Sequence, residues 1–341
     1  MSGLKVMVWG AGFFTRKWLE AIRAREDCEV VGIASRSRER ASELLGELGL
    51  GGTTVHEGWE QAAERGKAEA VLITLPQALH PEATVRALKG GWHVLVEKPL
   101  ALDLKAARTV HSATRRHAGQ VVMVNQNFRW RPHVQALRHG IRAGLIGRVG
   151  HVMMECRQQL RRKTVDGWRE RMAEPFLLDY AIHHFDMMRY LLADEPRAVL
   201  GKSFRPSWSW FEGNPSAAAV VEMQGGAVID YGGTMASLGL ETPQEGIVTV
   251  IGEKGTLCLD GNSHVQLVAG GETRTLPPEP IAGGELGHAL GEFLSAIRER
   301  RQPETHVAEH IRSLALTLAV VESSKTGKAV EVGRLVRFLE S

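Results

Sequence analysis

The first third of the chain alternates short apolar runs with segments that carry apolar residues at helical spacing. The apolar runs predict five strands, at residues 4–8, 29–34, 70–74, 92–96 and 120–124. Helices are predicted between several of them, at 15–24, 81–89 and 104–117. Strands that alternate with helices indicate parallel pairing with helical crossovers. We therefore predict an α/β domain over residues 1–124, with a doubly wound parallel sheet.

Beyond residue 124 the pattern changes to strands separated by turn signals. Strands are predicted at 151–157, 217–223, 227–231, 246–251, 256–259 and 264–268, and helices at 132–143, 177–192, 287–300 and 308–325. Glycine-containing turns such as Gly225-Gly226 join successive strands without long helices between them. This order predicts a second domain, residues 125–341, of the α+β class with a mainly antiparallel sheet.

A glycine turn follows the first predicted strand. Gly10 permits a sharp turn, and Gly12 allows the backbone to approach a pyrophosphate at the N-terminus of the next helix. Thr15 stands where the usual fingerprint has a third glycine. The arrangement predicts a dinucleotide site, and the alternative is a structural turn that binds nothing.

The end of the second predicted strand is basic. Folds that bind NAD place a carboxylate here to accept hydrogen bonds from the adenosine ribose. This chain has Ser35 and Arg36, with Arg40 close behind, which suits a ribose 2′-phosphate. The alternative is an exposed basic helix start capped by Ser37. The sequence favours NADP(H) as cofactor and leaves NAD(H) as the alternative.

Glu97-Lys98-Pro99 ends the predicted strand at 92–96. The carboxyl edge of an open α/β sheet is where such folds bind ligands. An ammonium beside a cofactor can hold and polarise a substrate hydroxyl or carbonyl, so Lys98 is a candidate catalytic residue. The alternative interpretation is an ordinary exposed strand end.

The predicted helix at 177–192 carries Asp179, His183 and Asp186 among mostly apolar residues. Their spacing places the three side chains along one stripe of an α-helix. A carboxylate near a histidine favours the protonated ring and fixes its tautomer, which predicts a general acid/base near neutral pH. The alternative is a buried structural network. His184 points elsewhere on a helix, so we predict no metal site.

Composition limits the class of protein. The chain has 341 residues, 43% of them hydrophobic, and a formal net charge of +3. No apolar run approaches the ~20 residues of a membrane span, and the immediate start of a strand leaves no room for a signal peptide. The basic clusters Arg161-Arg162-Lys163 and Arg298–Arg301 are short, so we expect neither nucleic acid nor membrane as a partner. Three isolated cysteines indicate the cytoplasm: Cys28, Cys156 and Cys258.

Taken together, these residues give the chain a family resemblance. It resembles the glucose-fructose oxidoreductase / inositol dehydrogenase / MocA-like oxidoreductases along nearly its whole length. The motifs are Gly10-Ala11-Gly12, Thr74-Leu75-Pro76 with His80, Val94–Leu100, Asn127-Phe128-Arg129 with Pro132, Gly144–Gly147, and the helix with Asp179, His183 and Asp186. The combination of the Glu-Lys-Pro and Asp-x-x-x-His elements is the specific part.

The resemblance implies a Rossmann domain followed by a C-terminal domain with a large open sheet, through which dimers or tetramers form. It implies hydride transfer between a nicotinamide and a carbinol carbon of a sugar, cyclitol or related polyol. Lys98 would contact the reacting oxygen, His183 would exchange its proton, and Asp179 would orient the substrate or His183. The cofactor-binding residues are then Gly10, Gly12, Phe13, Phe14, Ser35, Arg36, Arg40, Thr74, Leu75, Pro76, His80, Glu97, Lys98, Asn127, Trp168 and Arg169.

The chain departs from the family pattern in ways that affect substrate and function. Ala173-Glu174-Pro175 replaces three glycines before the Asp/His helix, and Trp18 occupies a place often held by histidine. The cluster Trp208–Phe211 either lines a sugar site or packs in a core or subunit contact. Two alternative functions stay open: a redox-neutral glycosidase or epimerase that uses NAD, and a non-catalytic nucleotide or sugar sensor.

Overall fold

The computed structural model describes residues 3–160 and 167–341. The basic cluster Arg161-Arg162-Lys163 lies outside the described residues. The chain divides into two compact units. The first contains residues 1–127, 282–311 and 339–341, and the second contains 128–281 and 312–338. This differs from a single division at 124/125, because two later segments of the chain join the first unit.

The first unit is built on a six-stranded parallel sheet in the order β3-β2-β1-β4-β5-β6. Its strands are β1 (Leu4–Trp9), β2 (Cys28–Ser35), β3 (Thr54–Glu57), β4 (Ala70–Ile73), β5 (His93–Glu97) and β6 (Val122–Asn125). Its helices are α1 (Phe13–Arg23), α2 (Arg38–Glu47), α3 (Trp59–Arg65), α4 (His80–Lys89) and α5 (Leu104–Arg116). The parallel Rossmann sheet is confirmed. The sequence pattern missed β3 and α3, which have only four and seven residues, and gave the start of α2 only as an alternative.

The core of the first unit is apolar and aromatic. Trp9 of β1 packs against Trp59 and Trp92, with ring centroids 5.5 and 5.6 Å apart. Helix α8 (Gly284–Glu299) also belongs to this unit and packs against α1. Such burial is the main favourable term in folding, since apolar surface leaves water.

The second unit is built on a nine-stranded sheet in the order β14-β13-β12-β11-β7-β10-β9-β8-β15. Its strands are β7 (Val149–Arg157), β8 (Pro196–Phe204), β9 (Ser216–Met223), β10 (Val228–Thr234), β11 (Ile247–Gly252), β12 (Gly255–Leu259), β13 (Val265–Ala269), β14 (Glu272–Leu276) and β15 (Val330–Glu331). All neighbouring pairs are antiparallel except β7 and β10. The mainly antiparallel sheet is confirmed, and β8, β14 and β15 were not predicted.

The remaining helices are α6 (Pro132–Arg142), α7 (Ile182–Leu192), α9 (Val307–Thr326) and α10 (Val332–Glu340). Burial alternates along β7 and β9, so one face of the nine-stranded sheet is packed and the other is accessible in this chain. The predicted helix at 177–192 begins as a π-helix, Phe176–Ala181, and continues as α7. Single π-turns within helices occur frequently at functional sites.

Candidate active site

The turn after β1 has the geometry expected of a dinucleotide loop. Gly10 has a φ of +120°, and a Cβ there would lie 2.6 Å from the Thr74 Oγ1, so only glycine fits. A Cβ at Gly12 would meet nothing within 4 Å, which leaves the backbone open to a ligand. Helix α1 begins at Phe13 with no acidic residue in its first turn. Its N-terminal N–H groups therefore suit a pyrophosphate.

Thr15 is accommodated by hydrogen bonds in place of the third glycine. Its Oγ1 accepts the N–H of Gly12 at 2.9 Å and lies 2.8 Å from the Thr74 Oγ1. The Thr74 hydroxyl donates to the Trp9 carbonyl at 3.1 Å, so the Thr15 hydroxyl donates to Thr74. These three hydrogen bonds connect the glycine turn to the end of β4. The structure thus brings Gly10, Gly12 and Thr74 together.

The basic segment after β2 leads into a capped helix. The Ser37 Oγ caps α2 by accepting the N–H of Arg40, and the Ser35 Oγ accepts the N–H of Ser37. The side chains of Arg36 and Arg40 are exposed. The helix cap is therefore present, and it fixes the backbone that carries Arg36 and Arg40 just after β2.

Glu97 is held by two neutral donors at the end of β5. Its Oε1 accepts hydrogen bonds from Trp18 Nε1 at 2.7 Å and from Asn125 Nδ2 at 3.0 Å. Burial raises the pKa of the Glu97 carboxyl, although both donors and the charge of Lys98 oppose that shift. Lys98 follows on the same turn and is half-buried. Trp18 was singled out only as a departure from the family, and its role as a donor to Glu97 appears first in the structure.

His80 links two strand ends of the first unit. Its ring nitrogens lie 2.8 Å from the carbonyl oxygens of Leu75 and Pro99. Burial lowers the pKa of His80, against the effect of both carbonyls. His80 is therefore placed to hold the backbone next to Lys98. Leu75 and Pro76 follow Thr74 at the same edge of the sheet.

Asn127 has a partner that the sequence did not reveal. Its Nδ2 donates to the Glu285 Oε2 at 2.8 Å, and Glu285 lies in the first turn of α8. Nothing in the local pattern signals this pair, because 158 residues separate its members. The pair fixes the side chain of Asn127 beside the end of β6.

In the second unit, Asp179 and Arg169 form an ion pair. The Arg169 Nε donates to the Asp179 Oδ2 at 2.5 Å, and the Arg169 guanidinium carbon lies 4.9 Å from the Trp168 ring centroid. Asp179 is nearly buried and belongs to the π-helix. The structure thus brings Trp168, Arg169 and Asp179 together.

His183 and Asp186 have different partners. The imidazole of His183 stacks on Phe128, with centroids 4.2 Å apart and planes 8° from parallel. Asp186 accepts two hydrogen bonds from Arg129, at 2.6 and 2.8 Å, and one from Ser313. The three side chains of the predicted stripe therefore do not share one environment. Asp186 belongs to a buried ion pair, which agrees with the alternative of a buried structural network.

His184 is a buried histidine with a fixed tautomer. Its Nε2 lies 2.8 Å from the Gln244 carbonyl, which only accepts, so this nitrogen carries the hydrogen. The Tyr231 hydroxyl, 2.8 Å from Nδ1, then donates. Burial lowers the pKa of His184 to about 4. Among the described residues, no group of three or more His, Cys, Asp or Glu side chains is arranged to hold a metal ion.

The aromatic cluster 208–211 is divided between surface and core. Trp208 is 60% exposed, while Phe211 is fully buried. Trp208 and Trp210 donate their indole N–H groups to the carbonyls of Ala236 and Leu160. Trp208 is thus the most exposed of these rings and the best placed for stacking on a ligand or another molecule. Across residues 3–160 and 167–341, none of the helices has the length and apolar character needed to cross a bilayer.

Comparisons with known proteins agree with this architecture. Residues 4–126 match a family model described as "Oxidoreductase family, NAD-binding Rossmann fold", and residues 138–332 match its "C-terminal alpha/beta domain". The 1,5-anhydro-D-fructose reductase of Ensifer adhaerens is 31% identical over 95% of this chain and 97% of its own length. The D-apiose dehydrogenase of Paraburkholderia graminis is 26% identical over 96% and 89% of the two chains.

A solved structure supports the same fold. The crystal structure of an oxidoreductase from Agrobacterium radiobacter, in complex with NAD+, L-tartaric acid and magnesium, aligns with a TM-score of 0.89. It covers 97% of this chain and 99% of that chain at 19% identity. Because both family models match, the chain belongs to the glucose-fructose oxidoreductase / inositol dehydrogenase / MocA-like family and is an NAD(P)-dependent oxidoreductase.

Proposed function

We propose that this protein is an NADP(H)-preferring oxidoreductase that interconverts a carbinol and a carbonyl group of a sugar, cyclitol or related polyol. The proposal rests on the groups that meet at the carboxyl edge of the six-stranded sheet. There the open glycine turn, the exposed cations after β2 and the Glu97-Lys98 strand end all lie at carboxyl ends of parallel strands. Ligands bind at this edge in open α/β sheets.

The cofactor preference rests on charge at the end of β2. Arg36 and Arg40 are exposed, and the Ser37 cap fixes the backbone that carries them. A 2′-phosphate gains charge-assisted hydrogen bonds from guanidinium groups, whereas a 2′-hydroxyl gains little from them. NADPH is therefore expected to bind more tightly than NADH.

Titration of both cofactors tests the preference. Arg36→Ala should weaken NADPH binding by roughly 10-fold or more and leave NADH binding nearly unchanged. Arg142→Ala, at an exposed arginine of α6 in the second unit, is the matched control. Tighter binding of NADH by the wild type would overturn the NADP(H) preference while leaving the family assignment intact.

The acid–base chemistry is assigned to Lys98 and His183. Nicotinamide, when bound at the carboxyl edge of the six-stranded sheet, would supply or accept the hydride. In reduction, the Lys98 ammonium holds and polarises the substrate oxygen, and His183 delivers a proton to it. In oxidation, His183 removes the hydroxyl proton. Asp179, held by Arg169, orients the substrate or His183.

A substrate screen tests the reaction class. The names of the relatives suggest 1,5-anhydro-D-fructose with NADPH and D-apiose with NADP+ as the first compounds to test, followed by cyclitols and other aldoses. Turnover should change the nicotinamide absorbance in step with product. Product formation with tightly retained cofactor and no net absorbance change would instead indicate the redox-neutral alternative. Cofactor binding without turnover of any sugar or polyol would favour a sensor.

The accessible face of the nine-stranded sheet is assigned to self-association. It carries exposed apolar side chains on several strands: Met153, Leu200, Phe204, Val220, Ile251 and Val268. A shallow cavity of about 650 Å³ lies on this face. Large exposed apolar patches mark interaction sites. We expect a dimer or tetramer by light scattering, and Val220→Glu, on β9, should lower the mass toward that of a monomer.

We place the protein in the cytoplasm, since all three cysteines are free thiols.

A further inference from the structure

Phe128 lies between two cationic or ionisable side chains. One face of its ring is stacked on His183, with centroids 4.2 Å apart. The Arg131 guanidinium carbon lies 3.8 Å from the Phe128 ring centroid. Phe128 itself is only 5% exposed. Neither the sequence motifs nor the family comparison assigns a role to this ring.

Phe128 is held in place through its neighbours in the chain. Arg129, the next residue, is anchored by two hydrogen bonds to Asp186. Arg131 is anchored by an ion pair with Glu245 and by a hydrogen bond to Gln244 Oε1 at 3.0 Å. These anchors fix the short turn that carries the ring, since both arginines are tied to side chains distant in sequence.

The charge on Glu245 keeps the Arg131 anchor intact near neutral pH. Burial alone would raise the pKa of this carboxyl, but the hydrogen bond from His133 and the charge of Arg131 lower it to about 2. Glu245 therefore stays ionised throughout the range in which a histidine titrates. The negative charge that holds Arg131 is therefore retained over that range.

We propose that Phe128 is a positioning residue that fixes the plane of the His183 imidazole for proton exchange. This inference rests on the proposed role of His183 as the acid/base. A ring packed parallel at 4.2 Å blocks the rotation of the imidazole out of its plane. The ring nitrogens are then confined to one plane, and the direction in which His183 gives or takes a proton is set by Phe128.

Proton transfer depends strongly on such geometry. A catalytic base acts only within hydrogen-bond reach of the proton it exchanges. A displacement of about 1 Å can cost on the order of 100-fold in rate. Loss of the stacked ring should therefore lower kcat, and it removes no atom of the residues proposed to bind the cofactor.

The test compares Phe128→Leu with Phe128→Tyr, since leucine removes the flat face and tyrosine keeps it. Phe128→Leu should lower kcat by roughly 10- to 100-fold and leave the cofactor KM unchanged. Phe128→Tyr should retain most of kcat and the wild-type pH profile. Phe293→Leu, at a buried phenylalanine of α8 in the first unit, controls for the loss of an aromatic ring from a core. A kcat in Phe128→Leu equal to that of this control would overturn the proposal.

A second measurement does not depend on activity. The His183 ring protons, identified by their loss in His183→Asn, should resonate upfield in the wild type because of the Phe128 ring current. They should move downfield in Phe128→Leu and stay upfield in Phe128→Tyr. An unshifted His183 signal in the wild type would refute the stack even if neither Phe128 variant folds. Absence of turnover by the wild type would defeat the proposed function, whereas the resonance would still decide whether Phe128 orients the ring.

Discussion

The two units hold their carboxylates by different means. At the sheet edge of the first unit, Glu97 is bound by the neutral donors Trp18 and Asn125. In the second unit, Asp179 and Asp186 are each bound by an arginine. The two donors are neutral, and together with the charge of Lys98 they only partly oppose the effect of burial, so the pKa of the Glu97 carboxyl stays raised. An arginine partner brings an opposite charge into direct contact with the carboxylate.

The difference does not divide catalytic from structural carboxylates, since Asp179, which we propose orients the substrate or His183, is itself held by an arginine. It predicts instead what the loss of each contact costs. Charged partners, when buried, are costly to break, because the remaining charge is left uncompensated. Changes at the strand end that carries Lys98 should therefore appear in turnover. Changes to the Arg129–Asp186 pair should appear in the free energy of unfolding. Four substitutions test the contrast, in decreasing order of expected effect.

The largest effect is expected at Lys98. Lys98→Met removes the ammonium that we propose polarises the substrate oxygen, and turnover should fall by about 10²- to 10⁴-fold. Cofactor affinity, measured by fluorescence titration, should change far less. Lys105→Met, at an exposed lysine of α5, serves as the control. Full activity in Lys98→Met would show that the catalytic assignment is wrong.

The second-largest effect is expected when the Arg129–Asp186 pair is broken, and it should appear in the unfolding free energy. Both side chains are almost fully buried, so Asp186→Ala should lower the unfolding free energy by about 3–5 kcal/mol, as measured by chemical denaturation. The double variant Arg129→Met/Asp186→Leu removes both charges and should recover part of that loss. A loss below about 1 kcal/mol in Asp186→Ala would mean that the buried pair contributes no more to stability than an ordinary surface ion pair.

His184 should make the protein sensitive to mild acid. The folded state keeps the ring neutral down to about pH 4, whereas the unfolded chain binds a proton below about pH 6.5. The stability that depends on the neutral ring is complete above about pH 6.5 and is lost as the pH falls toward 4. Between pH 7 and 5 the wild type should lose on the order of 2 kcal/mol more than His184→Gln does.

Urea unfolding at the two pH values checks this difference. His139→Gln, at a histidine with an exposed side chain, should keep the pH dependence of the wild type. An equal loss in His184→Gln and wild type would assign the acid sensitivity to other groups. The pKa of Glu245 is about 2 in the folded protein. Its stabilising contribution is therefore lost only below about pH 4.5, outside the interval between pH 7 and 5.

The smallest effect is expected at Thr15. Thr15→Val keeps the shape of the side chain but removes the hydroxyl that accepts from Gly12 and bonds to Thr74. The unfolding free energy should fall by about 1 kcal/mol, and cofactor affinity should weaken slightly because the glycine turn is less fixed. Thr15→Ser should resemble the wild type in both measurements. Tighter cofactor binding by Thr15→Val would instead mean that the hydrogen bonds of Thr15 hold the glycine turn in a conformation that binds cofactor less well.

Much of the first unit could be predicted from sequence. Alternating strands and helices fixed the parallel sheet, and parallel strands bring their carboxyl ends to one edge. Gly10, Thr74 and Glu97 could therefore be grouped without a structure. The neutral donor Trp18 could not be assigned, because its indole reaches Glu97 from a helix 79 residues away in sequence.

The helix of the second unit shows where the sequence pattern was insufficient. Regular α-helical spacing grouped Asp179, His183 and Asp186, but the segment winds as a π-helix up to Ala181. The partners Arg169, Phe128 and Arg129 then give the three side chains separate environments. A pattern of spacing contains no information about which distant residues pack against each position.

The sequence by itself determined the fold class, the family and the strand end that carries Lys98, because these depend on local periodicity and on short motifs. Only the tertiary structure decided which partner each buried polar group has. Asp186 is compensated by Arg129, and the His183 ring is stacked on Phe128. The physical reason is that the energy of a buried polar group depends on its partners in space, and these come from distant parts of the chain.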